Sequence, residues 1–402
     1  YMLVQKRKNR RIHCAGCDKK FPPDTEHLCY WVRSKKSDEK YVDYYVFDFE
    51  SMFINEDNSI LNLHKVNYVV VSKLWSEDIW EFNTLMEFCT WLVNLAEKEE
   101  KVLMIAHNFR GYDGRLLMAG LVNIPNKFCG DFIQAGTKLN SFTFGNITFS
   151  DSLLHIAAPL DSFNKIFGLP DNAHKGFFPY EFNIPQNQNY IGQIPSKDFF
   201  APNRMSPKKR SQFLEWYNEN SSHTYNFKEE LIKYCIQDVA ILRKGLEVYI
   251  EQGKRINQGM NPMDYFTIAS YSRAIWATLY MPENVIAHSG EAYHEAARLS
   301  LRGGRTDVRC LYRTWSPEDV FVKKKYGVYA DVQSMYPYIQ MNKMLPVGKP
   351  KRQHREYNRG DFGIVKCSLR RPETFKTHPA ICISDPGTGR LIAPLHDLDD
   401  VT

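Results

Sequence analysis

The sequence predicts an α/β fold on three observations. Apolar runs of strand length occur at 44–50, 67–75 and 102–107. Between them, the stretch 84–98 places Leu85, Phe88, Leu92 and Leu95 at helical spacing, the mark of an amphipathic helix. The run from Ser141 to Phe149 alternates around Gly145-Asn146 and reads as a hairpin. A long helix is expected over 227–252, with Asn226 and, three residues later, Glu229 as its cap. The stretch 183–212 is rich in Asn, Gln, Pro and Lys, lacks a clear period, and is expected to be a surface insertion loop. No internal repeat is visible.

At 402 residues the chain should hold two or three domains, and 43% hydrophobic residues suffice for real cores. No apolar run approaches the roughly 18 residues that a membrane span needs. An intracellular enzyme with no membrane attachment is expected, nuclear if its host is eukaryotic. The nine cysteines are odd in number and mostly scattered, which does not suggest a disulfide framework. Cys89, Cys129, Cys235, Cys310, Cys367 and Cys382 are most simply buried small hydrophobes.

Charge is uneven. Residues 1–40 hold 11 Lys or Arg against 5 Asp or Glu, a net of +6 that equals the net charge of the whole chain. This basic segment is either a solvated tail, a phosphate-contacting arm whose affinity would depend on salt, or an import signal. Just after its start come Cys14-Ala-Gly-Cys17 and His27-Leu-Cys29, four ligands of the types zinc prefers, with Pro22-Pro23 between the pairs to make a turn. A segment this short cannot build its own core, so a structural Zn²⁺ would explain why it orders.

The chemistry lies in acids from three distant stretches. Asp48 and Glu50 sit in the apolar run Val46-Phe-Asp-Phe-Glu50. Residues two apart on a strand share a face, so the two carboxylates can share an ion. Tyr234 and Asp238 are four apart in a helical pattern and can reach one site. Asp113 follows in His107-Asn-Phe-Arg-Gly-Tyr-Asp113. Burying an unpaired charge is expensive, so acids inside apolar runs call for a partner. Two Mg²⁺ or Mn²⁺ ions, which prefer oxygen ligands and stabilise the attacking and leaving oxygens of a phosphodiester, are such partners.

The three segments resemble, in order, the Exo I, Exo II and Exo III motifs of the 3′–5′ proofreading exonuclease in family B DNA polymerases. Asp331-Val-Gln-Ser-Met-Tyr-Pro337 resembles polymerase motif A, with Met335 in place of leucine. Three further segments are similar to those of the protein-primed subgroup found in some phages, adenoviruses, linear plasmids and Polinton-type transposons. Ser152-Leu-Leu-His-Ile156 looks like its (Ser/Thr)-Leu-x-x-hydrophobic motif, His174-Lys-Gly-Phe-Phe-Pro179 occupies the place of a catalytic lysine, and Leu301-Arg-Gly-Gly-Arg305 resembles its Tyr-x-Gly-Gly segment. The resemblance runs from about residue 41 to the end. It departs at Exo II, which has one extra residue between Asn108 and Asp113, and at Leu301, which replaces a tyrosine. Motifs B and C, with the second palm carboxylate, do not occur in these 402 residues, so the chain reads as an internal fragment that should degrade a primer but not extend it.

The resemblance implies a ribonuclease-H-like exonuclease domain over 41–252 and a connector with the first part of the palm over 253–402, preceded by the zinc-knuckle segment 1–40. Asp48, Glu50, Asp113 and Asp238 would hold two ions, Tyr234 would orient the attacking water, and Lys175 would contact the scissile phosphate. Asn108, Tyr112, Ser152 and Leu153 would hold the frayed 3′ strand, and Arg302, Gly303 and Gly304 would approach the template. Asp331 would bind the polymerisation metals through the incoming deoxynucleoside triphosphate, with Ser334, Met335 and Tyr336 around it. His107 is read as a packing residue. Primer-template DNA, a single-stranded 3′ end and a terminal protein primer are the implied partners. Two other readings compete: a stand-alone 3′–5′ exonuclease, against which motif A and Gly303-Gly304 speak, and a non-catalytic zinc and nucleic-acid-binding protein, against which the complete set of carboxylates speaks.

Overall fold

A computed structural model of the chain describes residues 11–14, 19–22, 27, 29–36, 38–54, 63–97, 100–124, 129–169, 176–301, 306, 308, 310–325, 327–346, 348, 350–370, 382–385, 390–392 and 398–401. These fall into two compact units, residues 34–280 and residues 1–33 with 281–402.

The first unit is a mixed α/β structure around a seven-stranded sheet. Its strands are β1 (Asp43–Ile54), β2 (Leu63–Lys73), β3 (Ile79–Phe82), β4 (Val102–Ala106), β5 (Cys129–Ala135), β6 (Lys138–Phe144) and β7 (Ile147–Asp151). Their order is β3-β2-β1-β4-β7-β6-β5. The central pairs β1·β4 and β4·β7 are parallel and the flanking ones antiparallel. Parallel strands covered on both faces should be continuously apolar, and Val102–Ala106 is buried at every position. The expected hairpin is present, with Gly145 at φ +57° carrying the turn between β6 and β7.

Alternation along β1 divides the core. Tyr44 and Val46, with Val70 from β2 and Ile105 from β4, form one cluster with Leu231, Cys235, Val239, Leu242 and Leu246 of helix α5 (Phe227–Ile256). Tyr45, Phe47 and Phe49 face the other way and pack with Phe88 and Leu92 of α1 (Leu85–Ala96) and Leu117 of α2 (Asp113–Val122). Because Asp48 and Glu50 continue the even-numbered set of β1, they fall on the face that α5 covers. Helix α5 starts where the sequence places it: the Asn226 side chain accepts the Glu229 N–H. At Gly245 the helix receives a ring from α3 (Phe163–Phe167), for a Cβ there would come within 2.5 Å of Phe163.

The stretch 183–212 carries local structure and apolar anchors. It contains short 3-10 turns, a two-residue strand pairing with Tyr225–Asn226, and the start of α4 (Pro207–Asn220). Ile194, Phe200 and Pro202 are buried there, and Phe200 packs against Phe213 and Trp216 of α4. Its polar composition hid apolar anchors too sparsely spaced to make a period. The unit continues past 252 through α6 (Ile268–Ile275), whose Tyr271 hydroxyl donates to the Gly253 and Met260 carbonyls.

In the second unit, Tyr30 pairs with Ala287, Trp31 N–H donates to the Ile286 carbonyl at 2.8 Å, and Trp31 stacks on His288. The unit further contains α7 (Glu291–Ser300), α8 (Pro317–Phe321), α9 (Met335–Asn342) and short strand pairs. Two cysteines expected to be buried are exposed here, Cys310 and Cys367; Cys89, Cys235 and Cys382 are buried as expected, and Cys129 is half-buried. No helix among the described residues is long and apolar enough to cross a membrane.

Candidate active site

Where α5 crosses β1, the acids converge. Asp48 is half-buried and Glu50 is 5% exposed. Ligand atoms of Asp48, Glu50 and Cys235 all lie within 4.8 Å of one another. The Cys235 thiol feels the charges of Asp48, Glu50 and Asp238, while the Tyr112 phenol feels Asp113, Glu50 and Asp48. Asp48 and Glu50 therefore share one site with Cys235, with Asp238 of α5 within electrostatic reach of that thiol and Asp113 of α2 within electrostatic reach of Tyr112. Asp238 and Asp113 are each 3% exposed. Asp113 is the first residue of α2, where the helix dipole favours an anion. Burial nonetheless raises its pKa to about 7, with Asp151 adding repulsion. Its Oδ1 is buried and makes no hydrogen bond. A like-charged, desolvated set of oxygens is the donor set that hard divalent cations such as Mg²⁺ or Mn²⁺ fit.

Tyr234 is 5% exposed, and its hydroxyl bonds to that of Tyr180. Burial first, then the charge of Asp238, pushes its pKa well above that of an ordinary phenol. It is therefore a neutral hydrogen-bonding group. Cys235 is also held protonated, chiefly by burial, and its thiol donates to the Asp48 carbonyl at 3.7 Å.

The loop before Asp113 absorbs the extra residue as a turn. Gly111 N–H donates to the Asn108 carbonyl at 2.9 Å, and Asn108 adopts φ +65°, which asparagine tolerates. A Cβ on Gly111 would come within 2.6 Å of the Asn108 side chain. Asn108 is exposed and Tyr112 half-buried. The Tyr112 hydroxyl bonds to Ser51 and, at 2.8 Å, to His64 Nδ1. Ser152 is buried, with its hydroxyl 2.9 Å from His107 Nδ1, and Leu153 is half-buried. His107 also packs edge-on against Phe163.

Sequence reasoning passed over several residues here. Asp151 accepts backbone N–H groups from Asn108, Arg110 and Leu153; the available signal was an Asp at the end of a strand, immediately before a turn. Tyr180 lies one residue past the segment read around Lys175. Ser51 and His64 carried no signal, since only the pairing of β1 with β2 brings them together. Lys175, Arg302, Gly303, Gly304 and Cys17 lie outside the described residues.

In the second unit, ligand atoms of Cys14, His27 and Cys29 lie within 4.8 Å of one another, and Cys14 N–H donates to the Lys19 carbonyl at 2.9 Å. Asp331 precedes α9, Ser334 is its N-cap with φ +52°, and Met335 and Tyr336 open the helix; all four are exposed.

The profile of the family described as DNA polymerase type B, organellar and viral, matches residues 94–402. The chain belongs to this family. Similar relatives include fungal proteins described as probable DNA polymerases. The Neurospora intermedia protein is 27% identical over 297 residues, 70% of this chain and 28% of the relative. The Ascobolus immersus protein is 26% identical over 337 residues, 79% of this chain and 26% of the relative. The chain thus spans about a quarter of the length of these two relatives. Among solved structures, phi29 DNA polymerase in an orthorhombic crystal form gives a TM-score of 0.48 at 16% identity, covering 89% of this chain and 56% of that one. Phi29 DNA polymerase complexed with single-stranded DNA gives 0.40 at 15% identity, covering 66% and 41%.

Proposed function

We propose that residues 34–280 are the 3′–5′ exonuclease of a protein-primed type B DNA polymerase, with a ribonuclease-H-like fold, and that they hydrolyse single-stranded DNA from its 3′ end with two Mg²⁺ or Mn²⁺ ions. The observation that carries this reading is the pairing of Asp48 and Glu50 within 4.8 Å of each other and of Cys235, with Asp238 acting electrostatically on Cys235 and Asp113 on Tyr112. When bound, the ions would stabilise charge on the attacking and leaving oxygens. Asp48 and Glu50 hold their place from one strand face, Asp238 from α5 and Asp113 from the start of α2. Tyr234, neutral and tied to Tyr180, donates or accepts a hydrogen bond to orient water without acting as a base. Lys175 stabilises charge on the scissile phosphate. Asn108, Tyr112, Ser152 and Leu153 lie along the loops beside the acids and hold the unpaired strand, with stacking as a sequence-tolerant grip.

Asp331, Ser334, Met335 and Tyr336 serve a polymerase palm that works on primer-template DNA and deoxynucleoside triphosphates, with Arg302, Gly303 and Gly304 on the template. A terminal protein is the proposed primer. Cys14, Cys17, His27 and Cys29 hold a structural Zn²⁺. The test is 5′-labelled single-stranded DNA incubated with the chain and Mn²⁺. A ladder shortening from the 3′ end supports the reading, provided Asp48→Ala with Glu50→Ala abolishes it; absence of shortening, or cutting by the double variant, refutes it.

A further inference from the structure

We propose that Asp151 is a positioning residue that locks two strand-holding segments, 107–112 and 152–154, into one rigid cradle for single-stranded DNA. The inference rests on the exonuclease reading above.

The geometry is specific. Asp151 ends β7 and its side chain is fully buried. Its Oδ1 accepts from Leu153 N–H at 2.8 Å and Asn108 N–H at 3.1 Å, and its Oδ2 accepts from Arg110 N–H at 3.0 Å. The Arg110 Nε lies 3.6 Å from Oδ2. Backbone N–H groups on both sides, from Leu153 two residues on and from Asn108 and Arg110 43 and 41 residues back, therefore aim at one carboxylate. Charge-assisted bonds of this kind are stronger than neutral ones. They hold Asn108 in its left-handed conformation and turn the Asn108 side chain outward to solvent. The same carboxylate caps the 3-10 turn that presents Leu153. The His107–Ser152 bond ties the two segments a second time.

The consequence divides binding from chemistry. Asp48, Glu50 and Asp238 stand on β1 and α5, whereas Asp151 ends β7, whose sheet neighbours are β4 and β6. Asp113 opens α2, whose Gly114 N–H donates to the carbonyl of the fully buried Phe109, and it is near enough to Asp151 to feel its charge. Losing Asp151 should loosen the grip on DNA and leave Asp48, Glu50 and Asp238 in place.

The test uses the full chain, oligothymidylate and two variants. Asp151→Ala removes the acceptor. Asp151→Asn keeps the shape and one acceptor oxygen but turns an amide donor toward the Arg110 N–H. Binding must then order the two loosened segments, so Asp151→Ala should raise the KM for the oligonucleotide about tenfold or more, a larger change than in kcat. Asp151→Asn should fall between that variant and the parent. Fluorescence anisotropy in EDTA should show the same order of affinities with no metal bound. If Asp151→Ala does not fold, Asp151→Asn decides alone. Parental KM and EDTA affinity in the folded variants would overturn the inference, as would a loss confined to kcat. Either result leaves the exonuclease reading standing, whereas a parent chain that neither binds nor shortens oligothymidylate overturns both.

Discussion

Neutralising the two acids of β1 should make the metal-free protein more stable while abolishing hydrolysis. Asp48→Asn with Glu50→Gln keeps both side chains' shape and removes two negative charges whose oxygens lie within 4.8 Å of each other. At an effective dielectric constant of about 20, two unit charges at that separation repel by roughly 3–4 kcal/mol. Asp48 is only half-buried, and solvent screening reduces the gain to about 1–2 kcal/mol. For a unit of this size that is a rise in melting temperature of roughly 3–6 °C. The assay is thermal unfolding in EDTA, followed by addition of Mn²⁺. The parent should be stabilised by Mn²⁺, because an ion that binds only the folded state shifts the equilibrium by mass action. The variant should start higher and respond little. A variant that melts below the parent in EDTA would show that these carboxylates serve structure rather than an ion, and the reasoning would fail.

Further outcomes follow from the same geometry. Tyr234→Phe should lower kcat about 10- to 100-fold, the worth of one hydrogen bond of roughly 1.4–2.7 kcal/mol at the transition state, without shifting the pH profile below pH 9; complete loss, or a new pH limb, would assign the phenol a proton-transfer role. Asp113 has its pKa raised from 3.8 to about 7. Its contribution to metal-free stability is thus fully present below about pH 4 and lost as pH rises through about 7. Melting in EDTA should therefore fall across that window, and Asp113→Asn should flatten the dependence; an unchanged slope would clear Asp113 of responsibility. Zinc should co-purify at one ion per chain, and Cys14→Ser with Cys29→Ser should release it with exonuclease activity on short oligonucleotides intact. Metal analysis of reduced protein that finds no zinc refutes that assignment.

Much of this arrangement was legible in the chain itself. The two-residue period of a strand places Asp48 and Glu50 on one face, and the four-residue period of a helix places Tyr234 and Asp238 together, so local patterns alone indicate where the acids point. The Asn226 cap and the Gly145 turn were equally local. What pattern could not reveal depends on contacts across distance. Phe200 and Ile194 anchor a stretch whose composition looks like loop, because burial there comes from sparse apolar residues meeting α4 and α5 rather than from a period. Asp151 resembled an ordinary turn residue until β7 paired with β4 and set it beside the 107–112 loop. Cys235 was legible as a buried residue, but its place among the carboxylates required the packing of α5 on β1.

The most direct test of the central claim is a crystal structure of the full chain grown with Mn²⁺ and a short oligothymidylate, examined by anomalous scattering at the manganese edge. Two peaks roughly 4 Å apart, bounded by Asp48, Glu50, Asp113 and Asp238 with the 3′ end of the strand against them, are the predicted result. Ordered DNA with no manganese between these four residues would contradict it.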